Sequence, residues 1–211
     1  MTPPTVNAYY SPQRNEIVFP AGILRAPFFD EKADDALNYG GIAAVIGHEI
    51  SHGFDDQGRQ FDSKGNLKDW WTEKDAEEFK KRTDRIVKQY NGFTVLDTLH
   101  VNGRLTLGEN IADLGGLSIA YEAFKNTPEG KANPVINGFT ADQRFFINWA
   151  QIWRNNILPE TAAQRILTDS HAPGEYRTNA PLENIDAFYK AFDVKKGDKM
   201  YVSPENRIKV W

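Results

Sequence analysis

The chain has four histidines, His48, His52, His100 and His171, and any imidazole chemistry must draw on them. Two of them frame His48-Glu49-Ile50-Ser51-His52. Residues four apart share one face of a helix, so both imidazoles could reach a single ion while Glu49 sits beside that face. Neutral imidazole nitrogens suit Zn²⁺, and a carboxylate one turn away can accept a proton from metal-held water. In a shuffled chain of this composition the pattern would arise roughly 0.005 times. A catalytic zinc needs a third protein ligand and an open position. Glu109 and Asp113, a second i, i+4 pair on a stretch with Ile111, Leu114 and Leu117 around it, offer the ligand and a carboxylate to hold a ligand histidine's other N–H. The bland readings are two half-exposed histidines beside a carboxylate, and a solvated helix start.

Those residues must be positioned by something. From about Asp35 to Phe54 the pattern predicts a helix carrying Leu37, Ile42, Val45, Ile46 and Ile50. Its Gly40, Gly41 and Gly47 each cost about 1 kcal/mol against Ala, so close packing must hold it and it belongs in the core. Asn7 to Phe19 reads as two short strands around a turn at Ser11 to Asn15. Thr72, with Asp75 three residues on, opens an amphipathic helix that stops at Asn91-Gly92. Val101-Asn102-Gly103-Arg104 reads as a tight turn between extended pieces, followed by a buried helix from Gly108 to about Lys125. Further helices are expected after the Thr140/Gln143 cap, from Pro159 to about Thr168, and from about Leu182 to Phe192. The fold class is mainly α with a small β component, in one domain over residues 1–211.

Composition excludes other classes. With 40% hydrophobic and 26% charged residues the chain is an ordinary globular sequence. A net charge of −4 gives no basic surface for phosphates, so no nucleic-acid partner is expected. The run Ile42-Ala43-Ala44-Val45-Ile46 is too short to span a bilayer, and no signal-type leader is expected in this stretch. Without cysteine, metal ligands must come from His, Asp and Glu.

Six segments together make the sequence resemble the neprilysin and endothelin-converting-enzyme family of zinc metallopeptidases: Val6-Asn-Ala-Tyr-Tyr10, Phe19-Pro-Ala-Gly-Ile-Leu24, Leu37-Asn-Tyr-Gly-Gly41, Val45 to Asp56, Gly108-Glu-Asn-Ile-Ala-Asp113 and Asp169-Ser-His-Ala-Pro-Gly174. The resemblance runs from Val6 to Trp211 and implies a zincin-type catalytic domain with a thermolysin-like core. It implies His48, His52 and Glu109 as ligands of one zinc, Glu49 as general base and Asp113 as the carboxylate behind the ligands. His171 would stabilise the oxyanion, oriented by Asp169, and Arg177 would bind the carbonyl past the scissile bond. Asn7 and Ala8 would hold the peptide backbone. Ile23, Phe28, Ala44, Val45, Ile152 and Trp153 would line the first primed-side pocket. His100 matches no role. Animal members carry cysteines where this chain has Arg154 and, near its end, Ile208-Lys209, which points to a bacterial member; cell envelope, secreted and cytoplasmic locations all stay open. Family proteins extend further on the N-terminal side, so an N-terminal part of the same protein is an expected partner. The implied function is hydrolysis of oligopeptides on the N-terminal side of apolar residues. The rival readings are a zinc- and peptide-binding fragment without turnover, and a different zinc exopeptidase.

Overall fold

The computed structural model describes residues 1–211. The chain enters through the antiparallel pair β1 (Tyr9–Ser11) and β2 (Glu16–Val18), joined by a turn in which Asn15 takes a left-handed conformation. Asp34 then caps the short helix α1 (Asp35–Asn38), its carboxylate accepting from the Leu37 amide. A π-helical turn, Tyr39–Ala43, leads into α2 (Ala44–Ser51), and a 3₁₀ turn carries the chain on to Phe54. The expected helix from Asp35 to Phe54 is therefore one continuous rod of four segments in three local geometries. Helix α3 (Glu73–Asn91) starts where expected, with the Thr72 hydroxyl accepting from the Asp75 amide. The hairpin β3 (Thr94–Val95) and β4 (Leu99–His100) precedes α4 (Leu107–Asn126), followed by α5 (Pro128–Ala132) and the hairpin β5 (Val135–Ile136) and β6 (Phe139–Thr140). Thr140 and Gln143 close a complete capping box on α6 (Ala141–Ile152), and α7 (Pro159–Thr168), α8 (Gly174–Leu182) and α9 (Asp186–Phe192) complete the set. No helix is long and apolar enough to cross a membrane.

The core is built around α2 lying on α4, and glycine permits the contact. A Cβ on Gly47 would stand 2.7 Å from the Gly116 carbonyl oxygen, and one on Gly116 would stand 2.3 Å from the His48 amide nitrogen. The helices thus touch backbone to backbone, the close approach that only residues without a side chain allow. From that crossing point, Asp113 lies one turn and Glu109 two turns towards the start of α4. Around it packs a large apolar cluster containing Leu107, Ile111, Leu117, Phe124, Phe145, Phe146 and Trp149, all essentially without solvent access. A smaller cluster of Ala8, Ile23, Ile42 and Val45 ties the first hairpin to the other side of α2.

Two local expectations differ from the structure. The tight turn falls at Leu96-Asp97, both left-handed, and not at Val101–Arg104. The Asn102 carboxamide instead accepts from the Arg104 and Leu105 amides and leads the chain into α4. The last helix does not begin at Leu182: that residue ends α8, and α9 begins at Asp186. Helix α8 holds Gly174, Asn179 and Pro181, poor helix formers that hide it from a pattern reading. The break after it is held by Asn184, which donates to the Ala180 carbonyl and accepts from the Ile208 amide.

Candidate metal centre and catalytic cleft

His48 and His52 project from α2 and its 3₁₀ extension towards the first turns of α4. His48 Nδ1 lies 2.8 Å from Asp113 Oδ1, and His52 Nδ1 lies 2.7 Å from Asp55 Oδ2. A carboxylate accepts, so each ring donates at Nδ1 and, when neutral, presents a lone pair at Nε2. These two Nε2 atoms are only 3.0 Å apart. Glu109 joins them, Oε2 at 3.2 Å from His48 Nε2 and Oε1 at 3.7 Å from His52 Nε2. Glu109 Oε2 is buried without a hydrogen-bond partner. With both rings neutral, four acceptor atoms would face one another here, an arrangement that costs free energy unless a cation or a proton lies between them. The donor set fits Zn²⁺: two imidazoles and a carboxylate, each imidazole backed by a carboxylate.

Glu49 also has a ligand atom within 4.8 Å of those of His48 and His52. Electrostatics separates the two glutamates. Burial would raise Glu109, but His48 at 3.2 Å, with His52 and Arg177, holds it down to about 2, the ionised form a ligand needs. Burial raises Glu49 above the usual carboxylate range despite the two histidines, which makes it the more basic group. Burial alone would lower the His48 imidazole; its bonds to Asp113 and Glu109 outweigh that and push it up to about 9 in the metal-free protein. Asp113, fully buried, is held well below the carboxylate range by Arg177 and His48.

Asp113 is the hub behind the site. It accepts from Arg177 Nε and Nη2, both at 2.7 Å, as well as from His48. Arg177 also approaches Glu109 Oε2 at 3.5 Å and stacks on the Trp153 ring, its Cζ 3.9 Å from the centroid. His171 stands on the loop before α8. Its Nδ1 is 2.8 Å from Asp169 Oδ1, and its Nε2 is 3.3 Å from Glu109 Oε2, so the ring faces the same point.

His48, Glu49, His52, Glu109, His171 and Arg177 line one cleft of about 490 Å³ that also contains Asn7, Ala8, Ile23, Phe28, Val45 and Trp153. The cleft further takes in Tyr10 and Gln57, to which no role was expected. Two expected pocket residues lie elsewhere. Ala44, one turn before His48 and on the same helix face, points at α4 and is wholly buried in the main core. Ile152, half-buried, packs against the cluster of Ile23 and Val45 and does not line the cleft. His100 sits on β4, near Thr94 and away from the site. Asp55, which holds the His52 ring, is the residue at the site that sequence reasoning passed over. Its place three residues after His52 was the available signal, but a histidine in a 3₁₀ turn had no pattern to pair it with.

Helices crossing at glycine to present two imidazoles and a carboxylate beside a free glutamate are the zincin-type fold of the metallopeptidases. Residues 7–208 match the sequence profile of Peptidase family M13, and the chain belongs to that family. It is 47% identical, over all of its length, to endothelin-converting enzyme 1 of Rattus norvegicus, and 48% identical over 98% of its length to neprilysin-1 of Caenorhabditis elegans. It spans only 28% of each of those relatives. Among solved structures it resembles the zinc metalloprotease Zmp1 of Mycobacterium tuberculosis in complex with an inhibitor, with a TM-score of 0.92 and 52% identity over 99% of this chain and 33% of that one. PepO of Lactobacillus rhamnosis gives a TM-score of 0.87 at 40% identity, over 96% of this chain and 31% of that one.

Proposed function

We propose that the chain is the catalytic region of a zinc endopeptidase that cuts oligopeptides on the N-terminal side of apolar residues. The convergence of His48 Nε2, His52 Nε2 and Glu109 on one point, with Glu49 beside it, carries this reading. One zinc held by His48, His52 and Glu109 would polarise the scissile carbonyl and acidify a water. Glu49 takes the proton of the attacking water and returns it to the leaving amine. His171, its Nδ1 held by Asp169, turns Nε2 towards the oxygen on which charge develops and stabilises it there. Arg177 spends Nε and Nη2 on Asp113 and keeps Nη1 for the carbonyl past the scissile bond. Asn7 and Ala8, on the approach to β1, hold the backbone of an extended peptide.

Ile23, Phe28, Val45 and Trp153 supply the apolar wall. At about 0.8 kcal/mol per buried methylene, Leu, Ile or Phe after the scissile bond should outrank Ala by about 10–100-fold. Profiling on a peptide library checks this, and cleavage mainly before charged residues would sink the pocket assignment. Because the chain spans 28% of its relatives, a second reading has a specific basis: zinc and peptide binding here, with turnover requiring the N-terminal remainder, which would also cap the cleft against folded proteins.

The deciding experiment measures zinc content and cleavage of a quenched peptide, for this chain and for a longer parent. Glu49→Gln should keep a full equivalent of zinc and lose turnover, since it removes the base and no ligand. His48→Ala protein with a full equivalent of zinc would refute the ligand assignment. Cleavage that demands a free N-terminus would move the protein to the exopeptidases.

A further inference from the structure

The loop that leaves the zinc helix returns to the start of the glutamate helix, and the contact is unusually bare. Asp55 spends both oxygens: Oδ2 on His52, and Oδ1 on the amides of Gln57 and Gly58 at 2.8 and 2.7 Å. Its neighbour Asp56 accepts from Gln57 Nε2 through Oδ2, while its Oδ1 is buried with no partner. Both side chains abut Gly108, the second residue of α4. A Cβ there would stand 3.1 Å from Asp55 Oδ2 and 3.2 Å from Asp56 Oδ1, closer than nine in ten real contacts. The next residue is Glu109. The start of this 20-residue helix has no side-chain cap, because the Thr106 hydroxyl donates to the Asn102 carbonyl and accepts from Asn110. Negative charge beside the first turn of a helix is favourable, so a carboxylate held against Gly108 suits this uncapped start without bonding to it. Burial and the adjacent Asp55 raise the Asp56 carboxyl, so keeping this charge here is costly and calls for a return.

We propose that Asp56, seated on Gly108, is a positioning residue for the metal centre: it fixes the depth and rotation of the first turn of α4 so that Glu109 meets the two imidazoles. Asp55 orients His52 and Asp56 orients the helix of Glu109, so two consecutive residues register both halves of the ligand set. The inference rests on the zinc reading above, and its test keeps the two apart.

The 211-residue chain is titrated with zinc against a competing chelator, its cobalt-substituted form is examined by visible absorption, and its metal-free form is melted. Asp56→Asn removes the charge at constant shape, Gly108→Ala pushes the carboxylates off the helix, and Asp62→Asn, a half-buried aspartate further along the loop, serves as control. Both test variants should bind zinc about tenfold more weakly, the scale for groups that orient metal ligands, with an altered cobalt spectrum and an unchanged metal-free melting temperature. The control should match the parent chain. Parent-like zinc affinity in both test variants overturns the inference. So does a lowered metal-free melting temperature with parent-like affinity, which would make the contact purely structural. A parent chain that takes up no zinc overturns the function reading, and this inference with it.

Discussion

Two buried ionic networks in this molecule look alike in composition and differ in completeness. At Arg144 every charge is answered. Its Nε donates to Asp34 Oδ2, its Nη2 to Glu129 Oε1, and its Nη1 to the Pro134 and Phe139 carbonyls. The remaining carboxylate oxygens serve backbone amides: Asp34 Oδ1 accepts from Leu37 and Glu129 Oε2 from Ala36. The network closes on itself and fastens α1, α5 and the β5–β6 hairpin to α6. At the zinc helix the outer members are equally well bonded, Asp55 to His52 and Asp113 to His48 and Arg177, yet at the centre two imidazole Nε2 atoms and the Glu109 carboxylate face one another with a single proton to share. A closed network specifies structure. An open one, held open by well-satisfied neighbours, specifies a ligand.

The largest effect that separates the two is in stability. Arg144→Ala would strand two carboxylates and two carbonyls, and a loss of about 3–5 kcal/mol is expected, with or without zinc. Urea denaturation checks it; a loss under 1 kcal/mol would mean the closed network does not hold these elements together. At the open network the main effect is on rate. His171→Phe should lower kcat by about 10²–10³, or roughly 3–4 kcal/mol, with KM little changed, because the donor acts on charge that develops only in the transition state. Steady-state kinetics on a protein that turns over peptide measure it, and an unchanged kcat would remove His171 from the mechanism. Next comes metal itself. Zinc at about one hundred times its Kd should stabilise the chain by about 2.7 kcal/mol. That corresponds to roughly 5–11 °C for a chain of this size. The same addition to His48→Ala protein should leave the melting temperature where it was.

How much of this could be read beforehand follows from how local each feature is. His48, Glu49 and His52 declare themselves because one helix period brings them together, and Glu109 with Asp113 does so in the same way. The core position of α2 was legible from its glycines, since a helix so poor in propensity must be held by packing, and Gly47 on Gly116 is that packing. Asp55 and Asp56 were present in the motif but had no visible task, because their partners depend on a 3₁₀ turn and on a helix start some fifty residues on. Ala44 was placed in the pocket by likeness, whereas helix geometry puts Val45 below Glu49 on the cleft and Ala44 below His48 on α4. Helix α8 is assembled by its surroundings: Arg177 fastens it to Asp113, a contact that no local pattern reveals.

The smallest expected effect tests the open network through its proton. In the metal-free protein His48 is held up to about 9, against an ordinary 6.5, by bonds to Asp113 and Glu109 that outweigh the burial opposing them. The folded chain therefore keeps a proton that the unfolded chain releases near 6.5. This contribution to stability is fully present below 6.5 and is lost as pH rises through 9. Zinc takes the same Nε2, so binding must expel that proton, and apparent zinc affinity should climb with pH by up to about tenfold per unit across that window. Calorimetric titration in two buffers of different ionisation enthalpy counts the protons released. The comparison predicts that Arg144→Met protein, as far as it stays folded, shows the same proton release, since its altered network lies outside the site. Zinc binding that releases no proton at pH 7 would mean the metal-free centre is already neutral, and the facing lone pairs would then need another explanation.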